Sequence, residues 1–484
     1  MYRRAALAVA VAFIVGAASL SAYFFFSMSG QNECQPLGGS SVLEGHVART
    51  SWGAITKFIL PGPSRWPNAI VAAPDGSVWF GEQAVPGVGH LLPDGSLTEY
   101  AWPPTQDELS ACGFRTSIWG LALWRGMVWG TDGDGNRLIG LNPVNDSFSV
   151  VRLPGSSLFP YSLSVGPDGS LWFTLLSTPA AIGKLSQSGQ VSIYPVKNYT
   201  KDVPAEIYFV NSTYAYYAAL NPANGSGGLF AFDPSELTGY VVPTEVGGGY
   251  RLFSPNSVSV GAGRVWLTQH GAASIASYDI ESRTWTVYPT STENYTTTTL
   301  PYFVRANGSV VWFNEHYGNR VSYINTLSDT MTEYSEADPP VYNGSRIDNA
   351  LTIALGKGGV WFTGTTGNYV GFVDASYVPP FSLSNEGNGT VVVARGETAQ
   401  LKFLVTGSWS TQLRVQFSDS ENYTSLPALV RISANETVIQ PGHESTLAVT
   451  VEPMDSLPPG RYTLGVTVGD GLVLRTVFIF LVVR

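Results

Sequence analysis

Ala69-Ile-Val-Ala-Ala-Pro-Asp-Gly-Ser-Val-Trp-Phe-Gly-Glu82 reads as two short strands about a tight turn, and most of the chain repeats it. Ala69-Ile-Val-Ala72 is an apolar inner strand, Pro74-Asp75-Gly76 a turn, and Ser77-Val-Trp-Phe80 the returning strand. Asp-Gly between period-two runs is a hairpin signal, because glycine supplies the positive φ that a tight reversal needs. Gly89-His-Leu-Leu92, a second turn at Pro93-Asp94-Gly95 and Leu97-Thr-Glu-Tyr100 bring the unit to four strands.

The phrase recurs around Trp79, Trp129, Trp172, Trp266, Trp312 and Trp361, at separations of 50, 43, 94, 46 and 49 residues. The double interval predicts one repeat without its Trp, and Tyr214-Ala-Tyr-Tyr-Ala-Ala-Leu220 fills that slot. Seven four-stranded repeats predict a β-propeller over 50–377. A Trp fixed in every repeat reads as packing between blades. The last repeat, Leu351 to Val373, supplies three strands before Pro379-Pro380, whereas Ile55-Thr-Lys-Phe-Ile-Leu-Pro61 has the sequence of an outer strand. Borrowing it closes the ring and removes open sheet edges.

Beyond a Tyr377-Val-Pro-Pro380 linker the Trp-Phe phrase disappears. Alternating runs such as Ala399-Gln-Leu-Lys-Phe-Leu-Val405 and Thr476-Val-Phe-Ile-Phe-Leu-Val482 predict an immunoglobulin-like β-sandwich over 378–484. At the other end, Arg3 and Arg4 precede an apolar run from Ala5 to Met28, long enough to span a hydrocarbon core of about 30 Å. Residues 1–30 read as a retained transmembrane helix or a cleaved signal peptide, and 31–49 as a juxtamembrane segment. The fold class expected is therefore all-β: a seven-bladed β-propeller, then a β-sandwich, behind an N-terminal transmembrane helix or signal peptide.

The positive flank of the apolar run places the remainder of the chain outside the cytoplasm, at the membrane or secreted. Ten Asn-x-Ser/Thr sequons agree and are candidate glycosylation sites: Asn145, Asn198, Asn211, Asn224, Asn294, Asn307, Asn343, Asn388, Asn422 and Asn435. In an oxidising exterior, Cys34 and Cys112, the only cysteines, are expected to form a disulfide. Two cysteines without a Cys-x-x-Cys exclude a thiolate zinc site. A net charge of -10 with no cluster of Lys and Arg excludes a nucleic-acid surface. Neither a Gly-x-Ser-x-Gly elbow nor a phosphate loop occurs.

Ile70-Val-Ala-Ala-Pro-Asp-Gly-Ser-Val-Trp-Phe-Gly-Glu82, Pro160-Tyr-Ser-Leu-Ser-Val-Gly-Pro-Asp-Gly-Ser-Leu-Trp-Phe-Thr174 and Val311-Trp-Phe-Asn-Glu-His-Tyr-Gly-Asn-Arg320 resemble the streptogramin B lyase (virginiamycin B lyase) family. The resemblance implies a seven-bladed propeller that opens a cyclic depsipeptide by elimination, with a His general base and a divalent cation, usually magnesium, near acidic residues. That family's His residues open the inner strands of the last two blades. Here Tyr302 and Asn349 stand there, and Ile347 and Thr365 replace the acidic residues. Neither Tyr nor Asn serves as a base near neutral pH.

The positions facing a channel mouth predict a ligand-binding set of Asn68, Glu82, Trp119, Asp132, Tyr161, Asn256, Gln269, Tyr302 and Asn349. Their amide, aromatic and acidic character suits a sugar, a peptide or a cation. His270 and His316 both lie four residues after their Trp, with Glu315 alongside, making the three candidates for a catalytic or divalent-metal site. Asp132-Gly-Asp-Gly-Asn136 opens like a calcium loop but has no Glu at the twelfth position. The leading functional expectation is a propeller binding a cell-surface saccharide or protein, with the membrane contacted through the N-terminal helix. A diverged lyase or hydrolase and a structural envelope component are the alternatives.

Overall fold

The computed structural model describes residues 42–62, 65–83, 87–102, 118–155, 157–196, 201–221, 225–236, 238–243, 252–291, 299–336, 350–419 and 430–484. The expected N-terminal helix, Cys34, Cys112, Asn349 and the sequons at Asn198, Asn224, Asn294, Asn343 and Asn422 lie outside them.

All the regular elements described are strands, in seven antiparallel blade sheets and a two-sheet sandwich. In the first blade Pro67–Ala72, Val78–Glu82, Gly87–Leu91 and Ser96–Ala101 run from the centre outward. The Pro-Asp-Gly turn forms as its residues dictate: Gly76 takes φ +95°, and Asp75 Oδ1 accepts from the Ser77 amide at 2.9 Å. Inner strands of successive blades touch all the way round, from Pro67–Ala72 to Ala350–Gly356 and back.

Ile55–Ile59 pairs with Tyr369–Asp374, from Ile55 opposite Val373 to Ile59 opposite Tyr369, and supplies the outer strand of the seventh blade. Upstream of it, Val42–His46 adds a fifth strand to the first blade and Ala48–Trp52 one to the seventh. The closure is thus stapled on both sides of the seam, and residues 42–49, expected to be juxtamembrane, are strands of the propeller itself.

The recurrent Trp residues pack forward onto the next blade. Trp172 lies 5.5 Å from the Phe209 ring and 6.1 Å from Phe232 of the fourth blade. In the fourth blade Tyr216 takes this place and packs with Val258, Val265 and Leu267 of the fifth. A tyrosine therefore covers the same interblade surface as the missing Trp.

The sandwich strands begin at Phe381–Asn385, which joins Ala399–Trp409, Gly442–Pro453 and Val430–Ala434 in one sheet. The other sheet continues the sixth blade: its outer strand Thr330–Ser335 pairs with Val473–Val483, Thr330 opposite Val477 and Tyr334 opposite Val473. The period-two alternation of that strand serves two cores. Val477, Ile479 and Leu481 enter the sandwich core. Phe478 and Phe480 pack with Trp266, Tyr288 and Phe313 of the propeller.

Candidate functional site

Four blade entries are built by a repeated local device. Trp66, Phe159, Ser254 and Leu300 have φ of 54°, 51°, 44° and 50°, each immediately before a proline. Left-handed backbone at a non-glycine costs about 1–3 kcal/mol and persists only where its surroundings hold it. The holding contact is shared: their carbonyls accept from the amides of Gln83, Leu176, His270 and His316 at 3.2, 3.0, 3.1 and 3.3 Å. A register shift then lifts the next residue out of the ladder, as between Pro255 and Val258 and between Pro301 and Val304.

A second device locks neighbouring inner strands together. Two residues after the Trp, Thr131, Thr174, Thr268 and Thr363 donate to the carbonyls of Tyr161, Ala205, Tyr302 and Asn68 at 3.0, 2.7, 2.9 and 2.9 Å. Asn314 does the same to Leu351 at 3.0 Å. In the fourth blade Ala218 stands there, and Glu206 instead accepts from the Val258 amide at 3.1 Å and pairs with Arg305 at 2.8 Å. The recurrence of Thr or Asn at this position was a sequence signal for these latches.

The expected mouth ring is thereby held shut. Tyr161 and Tyr302 meet hydroxyl to hydroxyl at 2.5 Å. Tyr161 also donates to Asn256 Oδ1 at 3.2 Å, and Asn256 Nδ2 donates to the Tyr302 carbonyl at 3.1 Å. All three are buried, as is Asn68, whose Nδ2 donates to the Ile118 carbonyl at 3.0 Å. Burial raises both tyrosine hydroxyls far above their ordinary range, so they stay protonated. Of the predicted ring within the described residues, only Trp119 is partly exposed, its ring 5.4 Å from that of Tyr161.

The acidic candidates are buried rather than open at the mouth. Three residues after the Trp, at the end of the second strand, they are buried and engaged within the blades. Asp132 pairs with Arg137 at 2.6 Å, which also removes its carboxylate from any calcium site. Glu82 is buried beside Glu99, itself paired with Arg65 at 3.2 Å. Burial first, and the Glu99 charge second, lift Glu82 well above the usual carboxylate range. Gln269 donates to Ser274 Oγ at 2.8 Å. Glu315 accepts from Ser322 Oγ at 2.7 Å; burial first, and Glu333 second, push it up to about 8. Thr365 donates to the Pro67 carbonyl at 2.6 Å.

His270 and His316, in contrast, do come together. Their Nε2 atoms are 3.2 Å apart. The His316 ring stacks on Tyr302 at 5.3 Å and 13°, and His270 lies 4.9 Å from the same ring. Burial lowers His270 to about 4 and His316 well below its ordinary value, the latter helped by His270. Both imidazoles are therefore neutral at neutral pH. Glu315 does not complete a triad, and among the described residues no three His, Cys, Asp or Glu side chains gather to hold a metal.

No protein-family model matches the chain. A 61-residue stretch, 12% of the chain, is 36% identical to a virginiamycin B lyase of Streptomyces coelicolor and spans 20% of that relative's length. A solved streptogramin B lyase superposes with TM-score 0.53 at 22% identity, covering 66% of this chain and 96% of that one. A virginiamycin B lyase from Staphylococcus aureus gives TM-score 0.51 at 18% identity, covering 69% and 99%. The propeller thus has the fold of the streptogramin B lyases.

Proposed function

We propose that this chain is a recognition propeller on the outer side of a membrane, binding an uncharged cell-surface saccharide at the mouth marked by Trp119. The observation carrying this reading is the neutrality of that surface. The partly exposed indole of Trp119 lies 5.4 Å from the ring of the protonated Tyr161, which bonds Tyr302, and the neutral His270 and His316 pack on Tyr302, while Glu82, Asp132 and Glu315 are buried. An aromatic face with a few polar atoms suits the C–H face and hydroxyls of a sugar. The apolar run behind Arg3 and Arg4, and five exposed sequons at Asn145, Asn211, Asn307, Asn388 and Asn435, support the outer location.

The same geometry argues against lyase chemistry in this chain. Tyr302 is buried and protonated, and a histidine held near 4 is a weak base at neutral pH. The test is a glycan array followed by titration of the hits. Trp119→Ala is expected to weaken binding at least tenfold, and the chain to leave a cyclic depsipeptide unopened. A clean negative array, or ring opening above the buffer rate, would overturn the reading. A hit on a protein array instead would make the ligand a protein.

A further inference from the structure

We propose that His270 and His316 form a two-imidazole site for a late first-row divalent ion, zinc or copper, bound through both Nε2 atoms. The argument is geometric. Two nitrogens each about 2.0–2.1 Å from a tetrahedral ion lie about 3.3 Å apart. The two Nε2 atoms are already 3.2 Å apart.

The pair is held at that spacing from both sides. The backbone amides are fixed on the Ser254 and Leu300 carbonyls at 3.1 and 3.3 Å, and both rings pack against Tyr302. Little ordering remains to be done when an ion enters. What the ion displaces is one N–H···N hydrogen bond, whose proton moves to Nδ1 of the same ring, and it forms two coordinate bonds in exchange. His316 Nδ1 is buried without a partner and carries the ring proton once Nε2 is given to the ion.

Imidazole nitrogen selects zinc or copper over magnesium and calcium, which take oxygen ligands. Among the described residues no third His, Cys, Asp or Glu joins the pair. The remaining coordination positions therefore fall to water or to a donor atom of the mouth's ligand, a last step that rests on the recognition reading above.

The test uses the full chain stripped with EDTA and titrated calorimetrically with zinc. Expected are saturable binding at one ion per chain, a rise in Tm on adding excess zinc, and at least a tenfold weakening in both His270→Gln and His316→Gln. Cobalt added to the unmutated protein should give the visible absorption of a tetrahedral ion, a readout independent of how the variants fold. His46, His90 and His443 are the other histidines, and His443→Gln should change nothing. No saturable binding, or full affinity kept in both variants, would overturn the site. Saccharide binding measured in EDTA separates the two proposals: a hit that survives chelation leaves recognition standing whatever zinc does.

Discussion

Replacing Glu315 by Gln should make the protein more stable in alkali while leaving it almost unchanged in acid. Glu315 is fully buried at the end of Val310–Glu315, beside Glu333 and Arg320. Arg320 already serves Glu333 at 3.3 Å, so a second carboxylate there has no cation of its own. Its proton is held up to about 8, against 4.5 for an ordinary glutamate. A carboxyl raised on folding stabilises fully below its unfolded value. That stability is lost as pH climbs from about 4.5 through about 8. At about 1.36 kcal/mol per pH unit the whole interval is worth at most about 5 kcal/mol.

Gln mimics the protonated acid: its oxygen can still accept from Ser322 Oγ, and it carries no charge at any pH. The assay is guanidinium denaturation of both proteins from pH 4.5 to 9. Near pH 4.5 the two should agree within about 1 kcal/mol, and the variant should gain progressively from there until the difference levels off above about pH 8. Glu82 titrates identically in both proteins and drops out of the difference. Parallel stability curves over the range would refute the assignment of a buried, protonated Glu315.

Phe478→Ala should cost about 3–5 kcal/mol and lower the melting temperature of the propeller itself, because the ring packs 5.0 Å from Tyr288 in the fifth blade; an unchanged propeller transition by differential scanning calorimetry would mean the sandwich is energetically separate. Thr268→Val should cost about 1–3 kcal/mol by leaving the buried Ser257 amide without its acceptor and the Tyr302 carbonyl with one of its two donors, read as a shift in denaturation midpoint, and a loss below about 0.5 kcal/mol would reject the latch.

The site was legible only in part. The register that put His270 and His316 four residues after their Trp placed them on adjacent blades, and their rings meet. The same register put Glu315 next to His316 in sequence, but neighbouring residues at a strand end point to opposite sides of the pleat. The Tyr161–Tyr302 bond was not readable by any such count, since it joins residues 141 apart across the channel.

Seven blades, the Tyr-filled fourth and the closure by Ile55–Ile59 were legible in the chain before folding. These arise from short-range signals, turn residues and period-two strands, and from one Trp per repeat. The tyrosine plug in the mouth and the continuation of the sixth blade into the sandwich emerge from long-range packing alone. Val473–Val483 is apolar on both faces, a pattern that states burial on two sides and leaves the partners unnamed. Which surface covers each face depends on strands brought together from distant parts of the chain.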